Sequence, residues 1–530
     1  MKLIFIRLLS LTMALLLLLA TAGCGKQEPE IDAQAVLQSL LEQVTFETEL
    51  SQVGGYAELY FPDLPQDTTI QLYTGSGYCA DEVALLSLAS EADSGKAMDA
   101  VETHLAELRS QFANYVPAEV DKIDGAVVRQ NGCYIFLCIS NDRSSAELIL
   151  KNANDPAYQL PSEGVHTTGN TVNQATGTVE QVTTHETTIS TEGTGNKDTT
   201  VPTTEATGST APNESSQNEY PRLTSKSGTY TEYGSAAIRV DDCVFEEYDY
   251  VDSRANAYAQ IINKAAEQLD GVTTVYALAI PTAIGITLPD DIAAQLPGLD
   301  DQGEAIEKIF SKMDSRIVTV NCFDNLMRHR DEYIYFRTDH HWNGRGAYYA
   351  YEAFCRVKGF APYTLSQREA RQFGGFLGSY YQNGKEGKSI LGENPDTVYA
   401  YYPASSRATM CYTDKKGNTY NWNIISDVTN WMASAKYSTF AGADNPIAVF
   451  TNPDVTEGSV CVIVKESYGN ALLPYLVDHY STVYEIDYRY WEGNLVEFTR
   501  EKGANDLIFA NNLSMIRSNL LIGQLAEIVG

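Results

Sequence analysis

Residues 155–222 divide this chain before any other feature is considered. From His166-Thr167-Thr168-Gly169 to Ser215-Ser216-Gln217 the segment is dominated by Thr, Ser, Gly, Asn and Glu, with hardly any large apolar side chain and no periodicity. Such a segment cannot bury enough surface to offset its chain entropy, so a flexible, acidic linker is expected. As a random coil it would span roughly 40–50 Å. A folded part is therefore expected on each side, and a length of 530 residues agrees with two or more domains.

The N-terminus carries its own signal. Lys2 and Arg7 precede an apolar run from Leu8 to Ala20, closed by Thr21-Ala22-Gly23-Cys24. A basic start, a short apolar centre and small residues before a cleavage point describe an export leader rather than a permanent span. Cysteine directly after Ala-Gly resembles the bacterial lipoprotein cleavage box, although Thr21 stands where that box usually has leucine. The alternative is an ordinary secretory leader with an incidental cysteine. The resemblance implies removal of residues 1–23, lipidation of Cys24 and an extracytoplasmic protein anchored to the outer face of the bacterial cytoplasmic membrane.

Charge excludes one class of partner. With 69 acidic and 37 basic side chains the chain has a net charge of −32, which repels phosphate backbones, so no nucleic acid is expected as a ligand. Apart from Cys24, cysteines 79, 133 and 138 precede the linker and cysteines 243, 322, 355, 411 and 461 follow it. Both groups are odd, so neither half can pair all its own cysteines. No pair has the C-x-x-C spacing of a zinc ribbon or a thioredoxin-like site.

Residues 24–154 are expected to form a small α+β domain. Met98, Val101, Leu105, Leu108 and Phe112 recur at helical spacing, with Asp93 and Ser94 where a cap belongs. Val127–Gln130 and Cys133–Leu137 flank Asn131-Gly132, a strong hairpin signal. The only histidine here, His104, lies within the helix and reads as structural. The stretch Cys79-Ala80-Asp81-Glu82-Val83-Ala84 with this helix and hairpin resembles an uncharacterised domain of clostridial lipoproteins, which implies no activity; a binding or spacer module is expected.

Residues 223–530 alternate strand-like and helix-like segments. Thr273–Ile280, Ile317–Val320, Tyr333–Phe336, Val460–Val464, Val483–Ile486 and Leu507–Phe509 read as strands. A helix is expected after Asn343, stopping at Lys358-Gly359, and another from about Gly469 to Tyr480. Apolar strands separated by helices argue for an α/β fold with a mainly parallel sheet covered on both faces. Ligands of such sheets bind beyond the carboxyl ends of the strands.

Two strand-to-helix junctions carry polar clusters: Arg337-Thr338-Asp339-His340-His341-Trp342 and Lys465-Glu466-Ser467-Tyr468-Gly469-Asn470. In an extended segment Asp339 and His341 share a face and His340 points elsewhere. Ser467, at a helix start, would have backbone N–H groups and a helix dipole beside it. Together these supply a nucleophile, a base and a carboxylate. Asp-His-His also suits zinc by residue type, but adjacent histidines diverge in a strand and no distant third ligand is evident, so no metal or cofactor is expected. Ser467 alone is an ordinary helix-start serine, and the domain could instead be a glycan-binding module that keeps an enzyme's residues.

Thr338-Asp339-His340-His341-Trp342-Asn343 with Gly346-Ala347-Tyr348-Tyr349-Ala350-Tyr351 resembles the signature of the DHHW protein family. Lys465–Ala471, Pro474-Tyr475-Leu476 and Asp487-Tyr488-Arg489-Tyr490 are similar to that family's later blocks. The family is in turn similar to the alginate O-acetyltransferase-like SGNH hydrolases, three-layer α/β proteins in which an Asp-x-His pair precedes a serine. The resemblance implies Ser467 as nucleophile, His341 as base and Asp339 as its orienting carboxylate. Glu466 stands where the more distant enzymes commonly have aspartate.

The resemblance further implies acyl transfer, with an acetyl group passing through Ser467 to a sugar hydroxyl or to water. The expected partners are a polysaccharide acceptor and a membrane-bound O-acyltransferase as acyl donor. Backbone N–H groups beside Ser467, with Asn470, are candidates to meet the oxyanion; Trp342 and Gly378, in Gly375-Phe376-Leu377-Gly378-Ser379-Tyr380, are candidates for substrate contact. A carbohydrate acetylesterase and a non-catalytic glycan-binding lipoprotein remain open.

Overall fold

The computed structural model describes residues 31–53, 57–75, 79–115, 119–153, 220–234, 236–383 and 388–530; the leader with Cys24 and residues 154–219 lie outside them. Before the linker, five antiparallel strands form one sheet. Its hairpin, Val127–Asn131 paired with Tyr134–Ile139, closes at the expected Asn131-Gly132 turn. Helix α1, Ser94–Tyr115, follows a single turn capped by Ser90, whose hydroxyl accepts from the Ala92 N–H. His104 on α1 is buried against Glu82, with Nε2 and Oε1 2.8 Å apart.

The later part is built on an eight-stranded mixed sheet. In chain order its strands are β1 Thr274–Ile280, β2 Ile317–Asn321, β3 Thr409–Thr413, β4 Thr419–Trp422, β5 Ile447–Thr451, β6 Val460–Lys465, β7 Thr482–Asp487 and β8 Asp506–Asn512. They lie in the order β2-β1-β8-β6-β7-β5-β3-β4. The first five in that order are mutually parallel, and β5, β3 and β4 continue antiparallel. Every residue of β8 is buried, as are all of β1 and β6 beyond their first residues. A strand buried on both its faces needs cover on both sides of the sheet, the arrangement expected of an α/β fold. That cover includes α2, Asp252–Gln268, and α3, Gly344–Lys358, which starts at an Asn343 cap accepting from the Arg345 N–H at 2.9 Å.

Two expected elements are absent. Tyr333–Phe336 adds no strand to the sheet: Tyr335 makes a single bridge with Trp342, folding residues 336–341 into a tight loop. The expected helix from Gly469 to Tyr480 is a 3-10 turn, Ser467–Ala471, and a short helix, Leu473–Leu476, with Pro474 in its first turn. Proline lacks the N–H that a continuous helix would need there.

The two folded parts pack against one another. The last helix, α4 Asn519–Val529, sends Leu520 into the core beneath α1, and Glu107 on α1 accepts from the Leu520 N–H and from Arg254 on α2. Tyr60 donates its hydroxyl to Glu527 and lies flat on Gly523, where a Cβ would fall 2.5 Å from the ring. Only a residue without a side chain permits that approach. Among the described residues no helix is long and apolar enough to cross a membrane, and all eight cysteines are free thiols.

Gly523→Val forces this contact apart. A loss of about 1–3 kcal/mol is expected, read as a lower urea midpoint; an unchanged midpoint would show that the contact contributes nothing to stability.

Candidate active site

The site sits beyond the carboxyl ends of β6 and β7, and two carboxylates shape its first loop. Asp396, fully buried, accepts from the N–H groups of Arg337 and Thr338, from the Thr338 hydroxyl at 2.6 Å and from the Tyr333 hydroxyl at 2.5 Å. Asp339 accepts from the His341 backbone N–H at 3.0 Å and from the Ser379 N–H at 2.8 Å. A Cβ at Gly378 would fall 2.2 Å from Asp339, so the Gly375–Tyr380 segment can clamp this carboxylate only with glycine there. The Gly378 N–H donates to Thr338 Oγ1 at 3.1 Å, so this glycine supports Asp339 from behind instead of facing Ser467.

The other side of Asp339 faces the imidazole. His341 Nδ1 lies 2.6 Å from Asp339 Oδ1, and its Nε2 lies 2.6 Å from Ser467 Oγ, across 126 residues of sequence. Burial raises the Asp339 pKa, but His341 and His340 outweigh it and hold the carboxyl far below its ordinary range. An ionised Asp339 accepts, so Nδ1 carries the hydrogen and Nε2 is left to receive the Ser467 proton. Ser467 is only 2% exposed.

The extended-strand reading of the Asp-His-His run does not hold. The loop brings the rings of His340 and His341 to 3.9 Å instead of parting them. His340 Nδ1 meets Ser379 Oγ at 2.8 Å, its carbonyl accepts from the Tyr468 hydroxyl, and burial beside His341 lowers its pKa to about 3. Asp339, His340 and His341 could present metal-ligand atoms within 4.8 Å of one another, but both His341 nitrogens are already engaged by Asp339 and Ser467.

Trp342 is completely buried and donates its indole N–H to the Tyr468 carbonyl at 2.9 Å, so it braces the serine turn from below and offers no face to a sugar. Asn470 is also buried, and its side-chain amide donates to Asp444 at 2.8 Å. Glu466 turns toward β8, accepting from Asn511 and Asn512. The short 3-10 turn at Ser467 has no long helix behind it, which removes the helix dipole expected there.

Sequence reading missed the groups that surround this relay. Tyr437 stacks on His341, centroids 4.0 Å apart and rings within 16°, and donates its hydroxyl to the Ser467 carbonyl at 2.9 Å. It arrives from a 3-10 segment, Ala433–Thr439, with no motif around it. Beneath the turn lies a buried ion cluster. Lys465 Nζ approaches Glu485 at 2.7 Å, Asp487 at 3.1 Å and Asp444 at 3.6 Å; Arg489 meets Asp487 at 2.6 Å and Asp444 at 3.1 Å. Burial raises the Asp444 pKa, but Arg489 and Lys465 outweigh it and keep the carboxyl well below its usual range; burial pushes Glu485 up to about 7 against the pull of Lys465.

The DHHW protein family profile matches residues 212–486, just over half of the chain, and this protein belongs to that family. A domain of unknown function (DUF4358) matches residues 68–140. A DHHW family protein from Eubacterium siraeum is similar in structure, with a TM-score of 0.51 and 26% identity over 57% of this chain and 99% of its own. Weaker likenesses are Bacillus cereus PatB1, with a TM-score of 0.44, 16% identity, 54% of this chain and 97% of its own, and the O-acetyltransferase domain of Pseudomonas putida AlgJ, with a TM-score of 0.31, 13% identity, 56% of this chain and 98% of its own. No curated protein matches.

The ion cluster yields two expectations. Lys465→Met leaves buried carboxylates uncompensated and is expected to cost about 3–5 kcal/mol, measured by chemical denaturation. Glu485 has a folded pKa of about 7 against 4.5 for a free glutamate, so between those values the folded state keeps a proton that the unfolded chain has lost. Its contribution is therefore greatest below pH 4.5, declines as pH rises to 7 and is level above it. The stability difference between parent and Glu485→Gln should slope across that window; a flat difference would show Glu485 ionised throughout.

Proposed function

We propose that this protein is an exported, lipid-anchored O-acyltransferase that moves acetyl groups onto cell-envelope or secreted polysaccharide. The observation that carries the reading is the continuous Asp339–His341–Ser467 relay, with both links at 2.6 Å. Ser467 Oγ attacks the carbonyl carbon of an acyl ester while His341 Nε2 takes its proton, and Asp339 stabilises the imidazolium. The tetrahedral intermediate collapses, His341 protonates the departing alcohol, and an acyl-serine remains. A sugar hydroxyl then attacks, giving its proton to His341, and Ser467 leaves with that proton as the new sugar ester forms.

Positioning in this scheme comes from groups the relay touches. Tyr437 lies flat on the imidazole and ties down the Ser467 carbonyl, which limits both partners to one geometry. Backbone N–H groups of the Ser467–Ala471 turn other than that of Gly469, which donates to the Glu466 carbonyl, are the candidate donors for an oxyanion; Asn470, tied to Asp444, steadies that turn. A donor delivered by a membrane-bound O-acyltransferase and an anchor at Cys24 complete the reading.

The test is the intact mass of the protein, without its leader, after incubation with an activated acetyl ester. The parent is expected to gain one acetyl group, Ser467→Ala none, and Asp339→Asn to acylate about 10³–10⁴-fold more slowly. Tyr437→Phe is expected to slow acylation by about fivefold through the loss of roughly 1 kcal/mol of hydrogen bonding. Equal acylation of parent and Ser467→Ala would overturn the reading.

A further inference from the structure

Outside the relay, a cleft of about 400 Å³ lies where the first domain meets the sheet domain. One wall is the loop that follows β7, residues 488–494; the opposite wall comes from the first domain, and α4 closes the floor. The loop and the serine turn leave the sheet side by side, because Asp487 at the end of β7 pairs in register with Lys465 at the end of β6. Adjacent strands lie about 4.8 Å apart. Arg489 joins the two places directly: it lines the cleft and also pairs with Asp444, which holds Asn470 in the serine turn.

The lining has a definite chemistry. Trp491 is a part-exposed aromatic ring of the lining, Tyr490 lies beside it beneath Lys415, Tyr60 is buried in the wall behind, and Glu49, Glu492 and Glu527 place exposed carboxylates on the rim from both domains. Gln524 on α4 lines the same cleft with a buried Oε1 that has no hydrogen-bond partner. Aromatic faces stack on the C–H faces of sugar rings, and carboxylate and amide oxygens accept from hydroxyl or ammonium groups. Three rim carboxylates on a chain of net charge −32 repel a polyanion.

We propose that this cleft is the acceptor-binding site, and that it takes a glycan segment without net negative charge, either uncharged or bearing free amino groups. The proposal rests on reading Ser467 as the carrier of an acyl group destined for a sugar. It also gives the first domain a role in recognition, since that domain supplies one whole wall of the cleft, Glu49 on its rim.

Binding is measured by isothermal titration of the leaderless two-domain protein, with no acyl donor present, against chitosan hexamer, chitin hexamer and hexagalacturonate. Its outcome is therefore separate from acylation of Ser467, and either result can fail alone. Binding of a chitosan or chitin hexamer, at least tenfold weaker in Trp491→Ala and absent for hexagalacturonate, is the expected result. The doubly substituted rim variant Glu49→Gln/Glu492→Gln should weaken chitosan hexamer more than chitin hexamer, and it decides the matter if Trp491→Ala fails to fold. Hexagalacturonate binding as tightly as the other two overturns the proposal. So does no binding of either non-anionic hexamer, or affinity unchanged in the folded variants.

Discussion

A lysine with no exposed surface is the constraint on which the site depends. Lys465 ends β6 two residues before Ser467, and an ammonium removed from water costs several kcal/mol unless it is matched. Glu485, Asp487 and Asp444 match it, and Arg489 balances the surplus of carboxylates that this creates. These groups come from β6, β7, the residues just before β5 and the loop after β7, so satisfying one buried cation sets the mutual placement of four segments. Asp444 passes that constraint to Asn470 and hence to the serine turn.

The second anchor is the pair of carboxylates in the Asp-His-His loop. Asp396 gathers the loop's entry and Asp339 gathers its exit, and each is buried with several donors around it. Charge-assisted bonds to backbone N–H groups are among the stronger local restraints available to a loop. They hold His341 where its two nitrogens reach opposite partners, with Tyr437 stacked on the ring. A nucleophile and base that are 126 residues apart in sequence need restraint of this kind from both sides.

The first domain packs directly on the sheet domain. Leu520 belongs to its core, and Gly523 is bare so that Tyr60 can lie on α4. The C-terminal helix thus serves both domains, and the cleft beside Arg489 exists only because they are packed together.

The sequence by itself determined the α/β class, the strands now seen as β1, β2, β6, β7 and β8, the helix opened by Asn343 and the order Asp339, His341, Ser467. Apolar runs and caps are local, and local pattern is what a linear reading detects. The tertiary structure alone decided that residues 333–336 add no strand, because Tyr335 bridges Trp342 across a loop held by Asp396. It also decided that His340 lies against His341, that Trp342 faces inward, and that Tyr437, Asp444 and Arg489 complete the site. Buried charge pairs and ring stacking join residues through space across long sequence separations, so no periodicity marks them along the chain.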